Sequence, residues 1–107
     1  MLPSFDHSPA MEPTSERRWA AEPESLVIAR AKAGEPDAIS ALYERYAPQI
    51  QRYIASRLGD PVQAEDVCAD VFVKVLESLA RYEDRGWPFS AWLYRIAYAR
   101  TVDVLRQ

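Results

Sequence analysis

Residues 81–107 read RYEDRGWPFSAWLYRIAYARTVDVLRQ and hold two of the three Trp, three of the six Tyr and five Arg. Aromatic rings stack on unpaired bases and Arg neutralises phosphate, so this interleaving suits a surface that holds single-stranded nucleic acid. Catalytic chemistry has less to work with. The one His is His7, near the N-terminus, and the one Cys is Cys68. These two make neither a nucleophile–base pair nor a metal site. Three Gly leave no glycine-rich phosphate loop. The acidic side chains of residues 60–80 bind a divalent cation only if they converge from more than one element, which nothing in the pattern predicts. The expectation is therefore no enzyme, no cofactor and no metal.

The charge pattern separates partner surfaces. Over 107 residues the net charge is −3, which argues against a strong stand-alone DNA binder. Residues 1–25 are net −3, 26–59 net +2, 60–80 net −4 and 81–107 net +2. An acidic block beside a basic one points to two different partner surfaces, set against the simpler reading of ordinary solvated helix faces. The length suits one small domain, and 49% apolar residues suffice for a packed core. A single Cys excludes an internal disulfide. No apolar run approaches the roughly 18 residues of a membrane span. No basic start followed by an apolar stretch marks a secretory signal. A cytoplasmic protein without membrane insertion is the simplest reading.

The elements that position these residues are helices. The fold expected is all-α, a compact bundle of about four helices with a disordered N-terminal tail. Residues 1–23 hold four of the eight Pro and little periodicity, and are that tail. Arg17-Arg18-Trp19 within it is read as solvated chain rather than a docking motif. The first helix runs from about Ser25, a cap, to Ala33, with Gly34 ending it. The second starts near Pro36 and buries Ile39, Leu42, Tyr43, Tyr46, Ile50, Tyr53, Ile54 and Leu58. Its phase passes unbroken through Pro48, which predicts one kinked helix rather than two, ended by Gly59. Asp60-Pro61 supplies an N-cap and a first-turn Pro for the third helix. That helix buries Val67, Cys68, Val71, Phe72, Val75, Leu76 and Leu79, which makes Cys68 a core thiol. A loop with Gly86 and Pro88 leads to the fourth helix, which buries Phe89, Leu93, Ile96, Ala97 and Val104.

These phases leave two outer faces. On the third helix, Asp66, Asp70, Val73 and Glu77 recur at spacings of four, three and four, with Ala69 beside them. An exposed Val ringed by carboxylates has the form of a contact surface, although a single stray Val on a solvated face is common. On the fourth helix, Trp92, Arg95, Tyr98, Ala99 and Arg100 lie at the flank or outside, with Tyr82 and Trp87 at the same end. Several exposed rings together imply a ligand; the alternative is that Trp92 and Tyr94 complete a small core.

At these residues the chain resembles the second conserved domain of bacterial RNA polymerase sigma factors, in the extracytoplasmic-function (ECF) group. The resemblance covers residues 26–107. It is carried by LVIARAKAGEPDAISALYERYAPQIQRYI, similar to the family's opening helices, by AEDVCADVFVKVLESL, similar to its polymerase-binding helix, and by FSAWLYRIAYARTVDVLR, similar to its promoter-melting helix. It implies a transcription initiation factor domain that binds core RNA polymerase and recognises and helps melt the promoter minus-ten element. Docking on the coiled coil of the polymerase's largest subunit falls to Asp66, Ala69, Asp70 and Val73, with Glu77 on the same face. A base flipped from the non-template strand falls to the loop over residues 82–88, hence Tyr82, Arg85 and Trp87. Trp92 and Arg95 fall at the upstream fork of the bubble, and Arg100 near the promoter backbone or base edges. The family usually has Gln at the place of Ala69 and Glu at that of Asp70, and often a basic residue at Tyr98 and Asn at Ala99. This chain thus has fewer polar groups on both faces. Full members also carry a C-terminal helix-turn-helix domain, absent from these residues, and are commonly held by an anti-sigma factor, a further partner the resemblance implies. The domain expected is residues 24–107. The competing reading is a helical protein-interaction module that binds a regulator without promoter recognition.

Overall fold

The computed structural model describes residues 22–107. The expected tail, with His7 and Arg17-Arg18-Trp19, lies outside the described residues but for Glu22 and Pro23. Four α-helices and one 3-10 turn form the described residues, with no strand among them, as an all-α reading requires. They are α1 (Glu24–Lys32), α2 (Pro36–Leu58), α3 (Pro61–Ser78), a 3-10 turn (Leu79–Arg81) and α4 (Phe89–Leu105).

Local chemistry sets most of the ends. Ser25 does not cap α1: Pro23 occupies the N-cap position, with an extended backbone and no side-chain bond. Its carbonyl accepts from the N–H groups of Leu26 and Val27 at 3.0 and 3.3 Å, which places Ser25 inside the first turn. At the other end Gly34 has φ +90°. There the Gly34 N–H donates to Ala31 O and the Glu35 N–H to Arg30 O, the paired bonds of a left-handed C-terminal cap. The apolar contact that often accompanies such a cap is replaced by an ion pair, Arg30 to Glu35 at 3.0 Å. Helix α2 runs continuously past Pro48, as its phase predicts. Asp60 caps α3 as expected, its Oδ1 accepting from the N–H groups of Val62 at 3.0 Å and Gln63 at 3.3 Å.

The chain divides between Glu44 and Arg45 into two units. In the first, Val27, Ala31, Ala38, Ala41 and Leu42 are buried. In the second, Tyr46, Ala47, Ile50 and Ile54 of α2, Ala64, Val67, Cys68, Val71, Phe72 and Val75 of α3, Leu79, and Phe89, Leu93 and Ala97 of α4 are buried. Ile50, Ile54, Val71 and Leu93 are wholly enclosed, each contributing about 1.5–3 kcal/mol of apolar burial. The Cys68 thiol is a core group, donating to the Ala47 carbonyl at 3.8 Å beside Pro48. Burial pushes that thiol above its ordinary range, so it stays protonated and unreactive.

The periodicity overshoots at the margins. Tyr43 and Leu76, both expected inside, are each 49% exposed. Leu76 sits at the edge of its stripe, whereas Tyr43 shares the phase of the enclosed Ile50 and Ile54, so helical phase alone does not account for its exposure. Ile39, Tyr53, Leu58, Ile96 and Val104 are half-buried rather than enclosed. Conversely Thr101 is buried, its hydroxyl donating to Ala97 O at 2.7 Å within α4. That bond satisfies the one polar atom an apolar pattern would not have placed there.

Candidate functional site

The second unit presents two neighbouring concavities, both built on α4. The first begins where α3 tightens into the 3-10 turn. The Tyr82 N–H donates to Leu79 O at 3.0 Å and turns the chain out of the helix. In the loop, Asp84 Oδ1 accepts from the Gly86 N–H at 2.9 Å. Gly86 has φ +89°, a conformation that favours glycine. Pro88 then sets an extended residue ahead of α4, and its carbonyl accepts from the Ala91 N–H at 3.0 Å.

The turn, loop and helix bring three rings together. Tyr82 meets Phe89 edge-on with centroids 5.2 Å apart, and Trp92 at 4.9 Å; Phe89 and Trp92 lie 5.5 Å apart. Phe89 also touches Tyr46 of α2 at 5.8 Å, which anchors the cluster to the core. Above it opens a cleft of about 350 Å³, walled by Tyr82, Trp87, Pro88, Ala91 and Trp92 and edged by Arg81, Arg85 and Arg95, with Glu83. Trp87 is 68% exposed. Arg81 and Arg95 make no ion pair among the described residues, whereas Arg85 pairs with Glu83 at 2.8 Å. That pair is solvent-exposed on both sides, so it contributes little and is readily exchanged for another anion.

The second concavity lies between α3 and α4 and has a volume of about 560 Å³. Asp70, Val73, Lys74 and Glu77 line it from α3, and Arg95, Ile96, Ala99, Arg100 and Asp103 from α4. Arg100 donates to Asp70 Oδ2 at 3.0 Å across it.

The sequence-predicted residues fall on the following surfaces of the structure. Asp66, Ala69, Asp70, Val73 and Glu77 are all exposed on α3. Leu76 joins them, so the apolar centre of that face is larger than periodicity predicts. Arg85, Trp87, Trp92 and Arg95 share the first cleft. Trp92 is both core and surface, half-buried by Tyr82 and Phe89. Tyr82 is a correction: its ring is buried, forming the inner wall of the cleft rather than an exposed platform. Tyr98, 58% exposed, lines neither concavity, and Ala99 and Arg100 line the second. Sequence reasoning did not single out Arg81. It closes the 3-10 turn immediately before Tyr82, and its position one residue ahead of the aromatic loop was the available signal. Among the described residues no group of three His, Cys, Asp or Glu converges as metal ligands. No described helix is long and apolar enough to cross a membrane.

The pattern of sigma-70 region 2 matches residues 42–107, which hold both concavities. The chain belongs to the sigma-70 region 2 family. This region 2 chain is similar to the ECF RNA polymerase sigma factor BldN of Streptomyces coelicolor, 38% identical over 91 residues, covering 81% of this chain and 34% of that protein. It is 36% identical over 107 residues to the ECF sigma factor SigD of Mycobacterium tuberculosis, covering 96% of this chain and 48% of that one. The ECF sigma factor SigW of Bacillus subtilis is 31% identical over 80 residues, 75% of this chain and 42% of its own. The region 2 chain thus spans between a third and a half of the length of these relatives. No solved structure matches it.

Proposed function

We propose that residues 24–107 are the part of an ECF sigma factor that docks core RNA polymerase through α3 and holds the opened minus-ten strand at the start of α4. The observation that carries this reading is the cleft of Tyr82, Trp87 and Trp92 edged by Arg81, Arg85 and Arg95. Stacking on an exposed ring contributes about 1–3 kcal/mol per base. Unstacking and flipping a base costs a few kcal/mol. One or two captured bases therefore roughly offset the opening of one step. The domain captures strands that the polymerase helps to open and does not melt duplex alone. The net charge of −3 supports the same division, since phosphate neutralisation supplies most non-specific affinity.

The polymerase reading is supported by the exposed Val73 and Leu76 running alongside the exposed carboxylates Asp66, Asp70 and Glu77. An apolar contact beside a charged border is the usual composition of a protein interface, and the carboxylates fit a basic partner helix. The coiled coil of the largest polymerase subunit is the partner the family points to, and an anti-sigma factor is a second user of the same faces.

Two binding measurements test the proposal. Pull-down with core polymerase is expected to succeed and to fail for Asp70→Arg. Fluorescence anisotropy with a single-stranded minus-ten oligonucleotide is expected to show binding that Trp92→Ala weakens. Polymerase capture without any DNA contribution from Trp92 would favour a protein-interaction module. Failure of both would remove the proposal.

A further inference from the structure

Asp70 and Arg100 belong to two different surfaces. Asp70 lies on the exposed face of α3 that the proposed function gives to polymerase, and Arg100 on the face of α4 given to promoter DNA. In the isolated chain each is the other's partner, at 3.0 Å. Neither is buried: their side chains are 53% and 38% exposed, so water and a second partner reach both.

We infer that this ion pair couples the two surfaces: Asp70 masks Arg100 until polymerase takes Asp70, and docking thereby frees Arg100 for a DNA phosphate. The inference rests on the proposed function and adds a regulation to it. A carboxylate held by a guanidinium offers less of its charge and fewer acceptor sites to a basic partner while the contact lasts, and the guanidinium likewise offers less to phosphate. Whichever partner binds first opens the pair. The second partner then finds its residue already free, and thermodynamic linkage makes the effect mutual. An exposed pair of this kind is weak, which suits a link that has to open readily. The coupling expected from it is about twofold to fivefold.

The other charged groups of the groove provide the control. Glu77 and Lys74 on α3 and Arg95 and Asp103 on α4 also line it. Glu77 sits on the same α3 face and makes no ion pair among the described residues. Glu77→Gln therefore removes one negative charge from the groove and leaves the Asp70–Arg100 ion pair, whereas Asp70→Asn removes one and reduces the ion pair to at most a neutral hydrogen bond.

The test measures binding of the 107-residue chain to a short, dye-labelled single-stranded DNA pool of random sequence, since a phosphate contact needs no particular base. Asp70→Asn is expected to tighten binding about twofold to fivefold, beyond any gain from Glu77→Gln, and to give no such excess when Arg100 is already Ala. In the reciprocal arm, Arg100→Ala is expected to tighten docking of core polymerase by the same factor, with Arg95→Ala as its control. Equal effects of Asp70→Asn and Glu77→Gln, or a gain that persists without Arg100, overturn the coupling while leaving the proposed function intact. Loss of all binding to both probes by the unaltered chain overturns both.

Discussion

Two aromatic–arginine clusters involve α4, and their difference shows what makes one of them a candidate binding site. In one, Tyr53 and Tyr94 meet edge-on at 5.3 Å, Arg57 lies 4.9 Å over the Tyr53 ring, and the Tyr94 hydroxyl donates to Gln49 Oε1 at 3.3 Å. In the other, Tyr82, Phe89 and Trp92 pack together while Arg81 and Arg95 make no ion pair among the described residues. The residue types are alike. In the first cluster the guanidinium already has its ring and the phenol its acceptor. In the second the rings hold one another from below and leave a cleft with uncommitted cations at its edge. Aromatic residues beside Arg are thus not enough by themselves to mark a candidate base-holding surface.

The comparison is broken most directly at Phe89, which is buried beneath the cleft against Tyr46. Phe89→Ala is expected to lower unfolding free energy by about 3–5 kcal/mol in a urea titration, because a buried ring leaves a cavity. Tyr53→Ala, at a half-buried ring, is expected to lose clearly less. Equal losses would mean that both clusters are simply core.

Next in size is the DNA arm. Trp92→Ala is expected to weaken single-strand binding by about 1–3 kcal/mol. Tyr94→Ala, two residues further along the same helix, should leave it unchanged. A Tyr94 effect as large as that of Trp92 would erase the distinction between the clusters. The arginines sharpen it further. If Arg95 or Arg81 neutralises a phosphate, its replacement by Ala reduces the slope of log affinity against log salt by about 0.7. Arg57→Ala should leave that slope alone. The smallest effect runs the other way: Arg57→Ala is expected to lower stability by about 0.5–1 kcal/mol through loss of its ring contact. Arg95→Ala should cost no measurable stability, which thermal melts of the two variants compare.

Much of this was legible before any coordinates. Asp60-Pro61, Gly34 and Gly59 mark helix ends because capping is a short-range matter between a side chain or a glycine and the next few backbone groups. The unbroken phase across Pro48 predicted one helix, and one helix is present. The α3 face of Asp66, Ala69, Asp70, Val73 and Glu77 emerged from spacing alone, and all five are exposed. The errors of burial share a cause. Leu76 at the edge of its stripe and Tyr43 within its own carry the right apolar type, yet how far the rest of the fold covers a given position is not a local property. Tyr82 is misjudged for the same reason. A ring next to a loop reads as exposed until Phe89 and Trp92, several residues later, fold back over it.

The sequence by itself therefore determined the helices, most of their ends, most of the core stripes and the sigma-70 region 2 family, because these follow from periodicity, end chemistry and motif. Only the tertiary structure decided which cations stay uncommitted. Asp70 and Arg100 stand 30 residues apart and have no spacing that announces a pair. They meet because α3 and α4 pack side by side, and packing brings together charges that no local pattern relates.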